Sequence, residues 1–150
     1  HYDKLIFDIE KHILEKANQN YQKDLAVLMS VRGIGEIIAL TIGQLNQCRY
    51  CVSAHTMIGK GAGLSVEEML DARHGKAKDP IDNAIAVVAA KLVNKRGFLT
   101  AEDIAEAKAN GLDDGLIIEI TANLVHNTLT NYTNHVAQTE IDFPVVPLEI

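Results

Sequence analysis

The sequence predicts an all-α fold on three observations. Apolar residues recur at helical spacing in one segment after another, and most of these segments are bounded by residue types that cap or break helices. No stretch alternates apolar and polar residues with the period of two that a half-buried strand requires. At 150 residues, 47% hydrophobic and 23% charged, the chain can bury one core and is short for two domains, so a single domain over 1–150 is expected.

The elements follow in order. Leu5, Ile6, Ile9, Ile13 and Leu14 mark a first amphipathic helix, and Leu25, Leu28 and Met29 a second. Gly33 and Gly35 interrupt the pattern. Glu36 then opens a stretch running to Leu45 that is apolar nearly all round and expected to be buried. Asn46 and Gln47 break it before a helix that carries both cysteines and stops near Gly61 and Gly63. Ser65 with Glu68 is a capping box for a short helix ending near Gly75, and Asp79-Pro80 is an N-cap and first helical position for the next, which Gly97 closes. Thr100 with Asp103 opens another that ends at Gly111, and Asp113 or Asp114 starts a long final helix past Leu129. Residues 143–147 read as extended, and the apolar tail 145–150 is expected to dock on the body or on a second subunit.

Bulk properties exclude several function classes. A net charge of −6 gives no basic footprint for a phosphate backbone or an anionic lipid surface, so neither nucleic acid nor membrane is an expected partner. No run of about 18 apolar residues is present to span a bilayer. Two cysteines do not staple a scaffold; an isolated Cys-x-x-Cys points to redox or metal chemistry in a reducing compartment, and the cytoplasm fits.

Those cysteines are Cys48 and Cys51, followed by His55. On a helix at ~100° per residue the three fall within about 60° of one another. The pattern is compatible with a redox dithiol, with zinc ligation that adds Glu36, or with simple packing of two small apolar residues. Val52 rather than His follows Cys51, which excludes c-type haem attachment, and the glycines at 59, 61 and 63 suit helix packing and a helix end better than a phosphate loop. No cofactor or resident metal is expected. His126 and His135 are expected to be structural or surface residues.

The redox reading has a physical basis. The thiolate is the nucleophile, and the first turn of a helix favours it through free N–H groups and the positive end of the dipole. If the Glu36 helix and the cysteine helix form an antiparallel hairpin turning at 46–47, Glu36 lies roughly 16 Å before the turn and His55 roughly 13 Å after it, at similar height. Glu36 could then orient His55, and His55 deprotonate a thiol directly or through water. Cys51, deeper in the helix and nearer His55, is assigned the attack on an oxidised substrate. Cys48, nearer the turn, would resolve the sulfenic acid and meet the reductant.

Glu36, Cys48-x-x-Cys51-x-x-x-His55, Gly63-Leu64-Ser65 with Glu67, and the ending Asn131-Tyr132-Thr133-Asn134-His135 through Asp142-Phe143-Pro144 resemble the carboxymuconolactone decarboxylase superfamily, in its alkylhydroperoxidase D (AhpD)-like branch. The resemblance runs from about residue 20 onward. It implies an all-helical AhpD-like domain, assembly into homotrimers or homohexamers, and a dithiol–disulfide cycle that reduces hydroperoxides at the expense of an external dithiol or redox protein. It also implies Cys51 as the peroxidatic thiol, Cys48 as its partner, and Glu36 and His55 as the relay. The chain departs from the peroxidase branch at Tyr50, where that branch has His. A phenol of reference pKa ~10 donates a hydrogen bond but shuttles protons poorly near neutrality, so Tyr50 is at most an accessory residue.

Overall fold

One helix, α1 (Ile34–Leu45), is the element on which most of the others pack, because its apolar residues point in every direction. The computed structural model describes residues 34–150, so the periodic stretches at 5–14 and 25–29 lie outside the described residues. Among the described residues the elements are α1, α2 (Arg49–Gly61), α3 (Val66–Arg73), α4 (Pro80–Asn94), α5 (Ala101–Ala109) and α6 (Asp114–Ala137), with no strand. The all-α class read from the sequence is the one observed.

Two faces of α1 organise two cores. Ile38 and Ile42 meet Ile85, Val88, Ala89 and Leu92 of α4 and Ile117 and Ile120 of α6. Ile37 and Leu40 meet Met69 and Ala72 of α3 and Ala86 of α4. The polar residue buried between them, Thr41, places its hydroxyl 2.8 Å from the carbonyl of Ile37 and 2.7 Å from that of Ala72, and so is not left unpaired.

The helix starts follow the side chains expected to cap them. Ser65 and Glu68 form a reciprocal box at α3, as do Thr100 and Asp103 at α5. Asp79 caps α4 with Pro80 at its first position, and Asp113 accepts from the Leu116 N–H at α6. Asp103 also receives Lys91 of α4 and Lys95, the residue that caps α4's C-terminus, which ties the short α5 to its neighbour. Foremost the hydrogen bond from Lys95, then the Thr100 N–H and Lys91, hold its carboxyl well below the usual carboxylate range. Gly111 ends α5 at φ +94°, a left-handed conformation that favours glycine.

One boundary differs from the sequence reading. Helix α1 begins at Ile34 and takes Gly35 into its first turn, rather than opening at Glu36. A helical glycine costs roughly 1 kcal/mol relative to alanine. The buried run from Ile37 to Ile42 offsets that cost through packing.

The C-terminal tail docks on the body through its backbone. Val146 N–H donates to Ser53 Oγ at 3.0 Å, Gln44 Nε2 to the Leu148 carbonyl at 2.8 Å, and Arg73 Nη2 to the Pro147 carbonyl at 2.6 Å. Arg73 is 8% exposed and also donates to Gln44 Oε1 at 2.9 Å, so three helices present polar groups to one extended strap. Arg73→Met removes two of these charge-assisted, part-buried bonds, a loss of about 1–3 kcal/mol. Urea unfolding should show that loss, and limited proteolysis should cut the tail faster than in wild type; unchanged cleavage would mean that Arg73 does not hold the strap.

Candidate active site

The site is built around a three-residue turn. Gln47 adopts φ +58°, the left-handed conformation that ends a helix, and the Cys48 N–H reaches back to the Gly43 carbonyl at 2.8 Å. Cys48 therefore closes α1, and it is also the N-cap of α2. This turn, which holds a polar break and no glycine, gives the antiparallel hairpin on which the placement of Glu36 depends. Asn46 fastens it to α6, donating from Nδ2 to Asn131 Oδ1 at 2.9 Å.

Cys48 and Cys51 are joined by a disulfide across the first turn of α2. Cys48 is not itself helical, so the shared face expected for the two cysteines arises from the cap: its Sγ folds back and accepts the Cys51 N–H at 3.3 Å. Cys51 Sγ has a different donor, the Nδ2 of Asn134 on α6 at 3.4 Å. Each sulfur thus has one hydrogen-bond donor of its own. Gly43 faces the cysteine helix, where an added Cβ would make ordinary van der Waals contact with Cys51 Cβ and Val52 Cγ2 at 3.5 Å. Both cysteines are buried, at 0% and 4% exposure.

Glu36 and His55 meet across the hairpin. His55 Nδ1 lies 2.8 Å from Glu36 Oε2, with both side chains partly exposed. His55 is one turn beyond Cys51 on α2, with Ser53 between them fixed to the tail. The hairpin therefore places an imidazole–carboxylate pair on the helix that carries the disulfide.

A pocket of about 340 Å³ opens beside the turn, walled by Gln47, Cys48, Arg49 and Tyr50 and by α6 and the segment after it, from Asn134 and His135 to Ile141. Cys48 is a wall residue and Cys51 is not; Cys51 sits one contact behind, against Asn134. His135 stacks on Tyr132 at 6.1 Å and also lines this pocket, so it is a surface residue as expected but adjoins the site.

Tyr50 faces the tail. Its ring meets Phe143 edge to face at 5.4 Å and its hydroxyl lies near the Asp142 carboxylate. Desolvation first, then the Asp142 carboxylate, raise the phenol above its ordinary value. It stays neutral at physiological pH and braces the segment that forms the outer pocket wall.

Sequence reasoning singled out Glu36, Cys48, Tyr50, Cys51 and His55 but missed Asn134, Asn46, Asn131, Ser53 and Asp142 as members of this assembly. A signal was present for part of it. Asn123, Asn127, Asn131 and Asn134 recur at helical spacing on α6, and Asn127 and Asn131 are buried. Polar atoms on an inward face ask for partners, and Asn131 Oδ1 and Asn134 Nδ2 have theirs at the cysteine turn, while Asn131 Nδ2 is buried without one.

The model of the carboxymuconolactone decarboxylase family matches residues 34–93, which contain Glu36, both cysteines and His55. The all-helical arrangement with its Cys-x-x-Cys pair is consistent with the AhpD-like fold. A search of curated proteins finds no match to the chain. The geometry at Tyr50 yields a spectroscopic prediction. Asp142→Asn removes the neighbouring charge, so the part of the tyrosinate titration that disappears in Tyr50→Phe should move to lower pH. No movement would show that Asp142 does not act on the phenol.

Proposed function

We propose that this chain, whose residues 34–93 belong to the carboxymuconolactone decarboxylase family, is a thiol-dependent peroxidase that reduces alkyl hydroperoxides through a Cys48/Cys51 dithiol–disulfide cycle. The observation that carries this reading is the disulfide at the N-terminus of α2 with the Glu36–His55 pair on the same hairpin.

In the reduced protein Glu36 orients His55, and His55 takes the Cys51 proton directly or through water. The Cys51 thiolate attacks the terminal oxygen of the hydroperoxide. The O–O bond breaks, the alkoxide leaves and takes up a proton to give the alcohol, and Cys51 becomes a sulfenic acid. Cys48 then attacks that sulfur, the S–OH bond breaks, water departs and the disulfide forms. An external dithiol exchanges with the disulfide, leaving as its own disulfide and returning both thiols. Its approach is through Cys48, the sulfur-bearing residue on the pocket wall. Tyr50 takes no part in proton transfer in this scheme.

The same reading takes the cytoplasm as the site of the cycle, because a reducing compartment supplies the dithiol. Among the described residues, no helix is long and apolar enough to cross a membrane. It also takes the protein to be a homotrimer or homohexamer. Support comes from α6, whose outward residues Ile118, Val125, Leu129, Tyr132 and Val136 are all more than half exposed and recur at the spacing of a helix–helix seam.

Thiol counting after one equivalent of an alkyl hydroperoxide tests the proposal. Wild type should lose two thiols per chain, and Cys48→Ser should accumulate a trappable sulfenic acid on Cys51. His55→Ala and Glu36→Gln should slow the oxidation, the former by roughly 100-fold. Two intact thiols in peroxide-treated wild type would sink the peroxidase reading.

A further inference from the structure

Within that reading, the step that restores the dithiol needs a leaving group. When an external thiolate enters by the pocket and attacks Cys48 Sγ, which is covered in the disulfide form and must be bared by movement of the pocket wall, a mixed disulfide forms, the Cys48–Cys51 bond breaks, and its electron pair departs on Cys51 Sγ. The negative charge then develops on a sulfur that is 4% exposed, where water solvates it poorly. Some group of the protein must receive it.

We propose that Asn134 is a further catalytic residue of this half-cycle, its side-chain amide stabilising the thiolate that leaves on Cys51. The inference rests on the dithiol–disulfide reading above. Its basis is geometric. Asn134 Nδ2 already donates to Cys51 Sγ at 3.4 Å in the disulfide form, and a charged sulfur strengthens a bond that is in place before the reaction begins. The Cys51 N–H is directed to Cys48 Sγ and does not serve Cys51's own sulfur.

Asn134 is also held in place. Gln138 ends α6 in the left-handed conformation at φ +50°, and the Thr139 N–H closes on the Asn134 carbonyl at 3.2 Å. The turn that terminates α6 thereby fixes the backbone of the residue that reaches the sulfur. Asn134 lines the pocket beside Cys48, so one side chain touches both the route taken by the incoming thiol and the atom that departs. The second thiol of the reductant then attacks the mixed disulfide, forming the reductant's own disulfide and releasing Cys48. The thiolate on Cys48 meets the Cys51 N–H. Two electrons pass from dithiol to protein, and the second sulfur is served by backbone as the first is by Asn134.

The test needs no peroxide, so it stands apart from the peroxidase assay. The disulfide form of wild type, Asn134→Leu and Asn134→Asp is reduced with dithiothreitol, and the second-order rate constant is measured. Leucine removes the donor at similar volume and should slow reduction about tenfold. Aspartate keeps size and shape but sets a negative charge against the leaving thiolate, and should slow it more. In a Cys48→Ser background, where serine retains the cap and Cys51 is the chain's one remaining cysteine, the thiolate fraction at neutral pH should fall in the same order by ultraviolet absorbance. Rates and thiolate fractions within twofold of wild type for both variants would overturn the assignment. So would an aspartate variant matching wild type while leucine alone is slow, since that is the signature of packing.

Discussion

The structure depends on one residue doing two jobs: Cys48 ends α1 and begins α2. Its N–H completes the closing bond of the first helix, and its sulfur receives a free N–H of the second. A chain that must satisfy both bonds at one position can only fold back on itself there. The hairpin, the height at which Glu36 meets His55, and the position of the disulfide at a helix N-terminus are consequences of that turn. Redox chemistry and helix capping share the same atom, so the sulfur of Cys48 is placed by the backbone and not by the packing of a mobile side chain.

The rest of the fold supports that turn from three sides. Asn46 is tied to Asn131 on α6, Asn134 reaches Cys51 from the end of the same helix, and the tail is pinned over Ser53 by the Val146 N–H. The polar face of α6 is thus turned toward the cysteines. Beyond Leu124 its apolar residues Val125, Leu129, Tyr132 and Val136 are turned outward, the reverse of what a lone surface helix presents, whereas Ile117 and Ile120 in its first turns are buried in the core. Tyr50 lines the pocket and packs on Phe143 of the tail.

Much of this was legible in the sequence because it was written in local terms. Ser65 with Glu68, Asp79-Pro80 and Thr100 with Asp103 act on amides within a turn of themselves, and their helices start where those residues stand. Glu36 and His55 could be paired because a helical rise and a turn position fix their heights. Gly35 misled, since tertiary burial of the following residues overrode its local preference for a break. Asn134 and Asp142 were not legible as site residues because they reach the cysteine helix from 83 positions away in the case of Asn134, and no periodicity reports such a contact. The motif gave the reactive atoms; the donors that serve them came from elsewhere in the chain.

In the proposed peroxidase cycle, electrons pass from a dithiol to a hydroperoxide through these two sulfurs and nowhere else. The most direct measurement counts product over several turnovers, alcohol released from an alkyl hydroperoxide against disulfide formed in the reductant. The account predicts one alcohol per dithiol oxidised in wild type and no turnover in Cys51→Ser. Dithiol oxidation without alcohol, or turnover that survives the loss of Cys51, would contradict it.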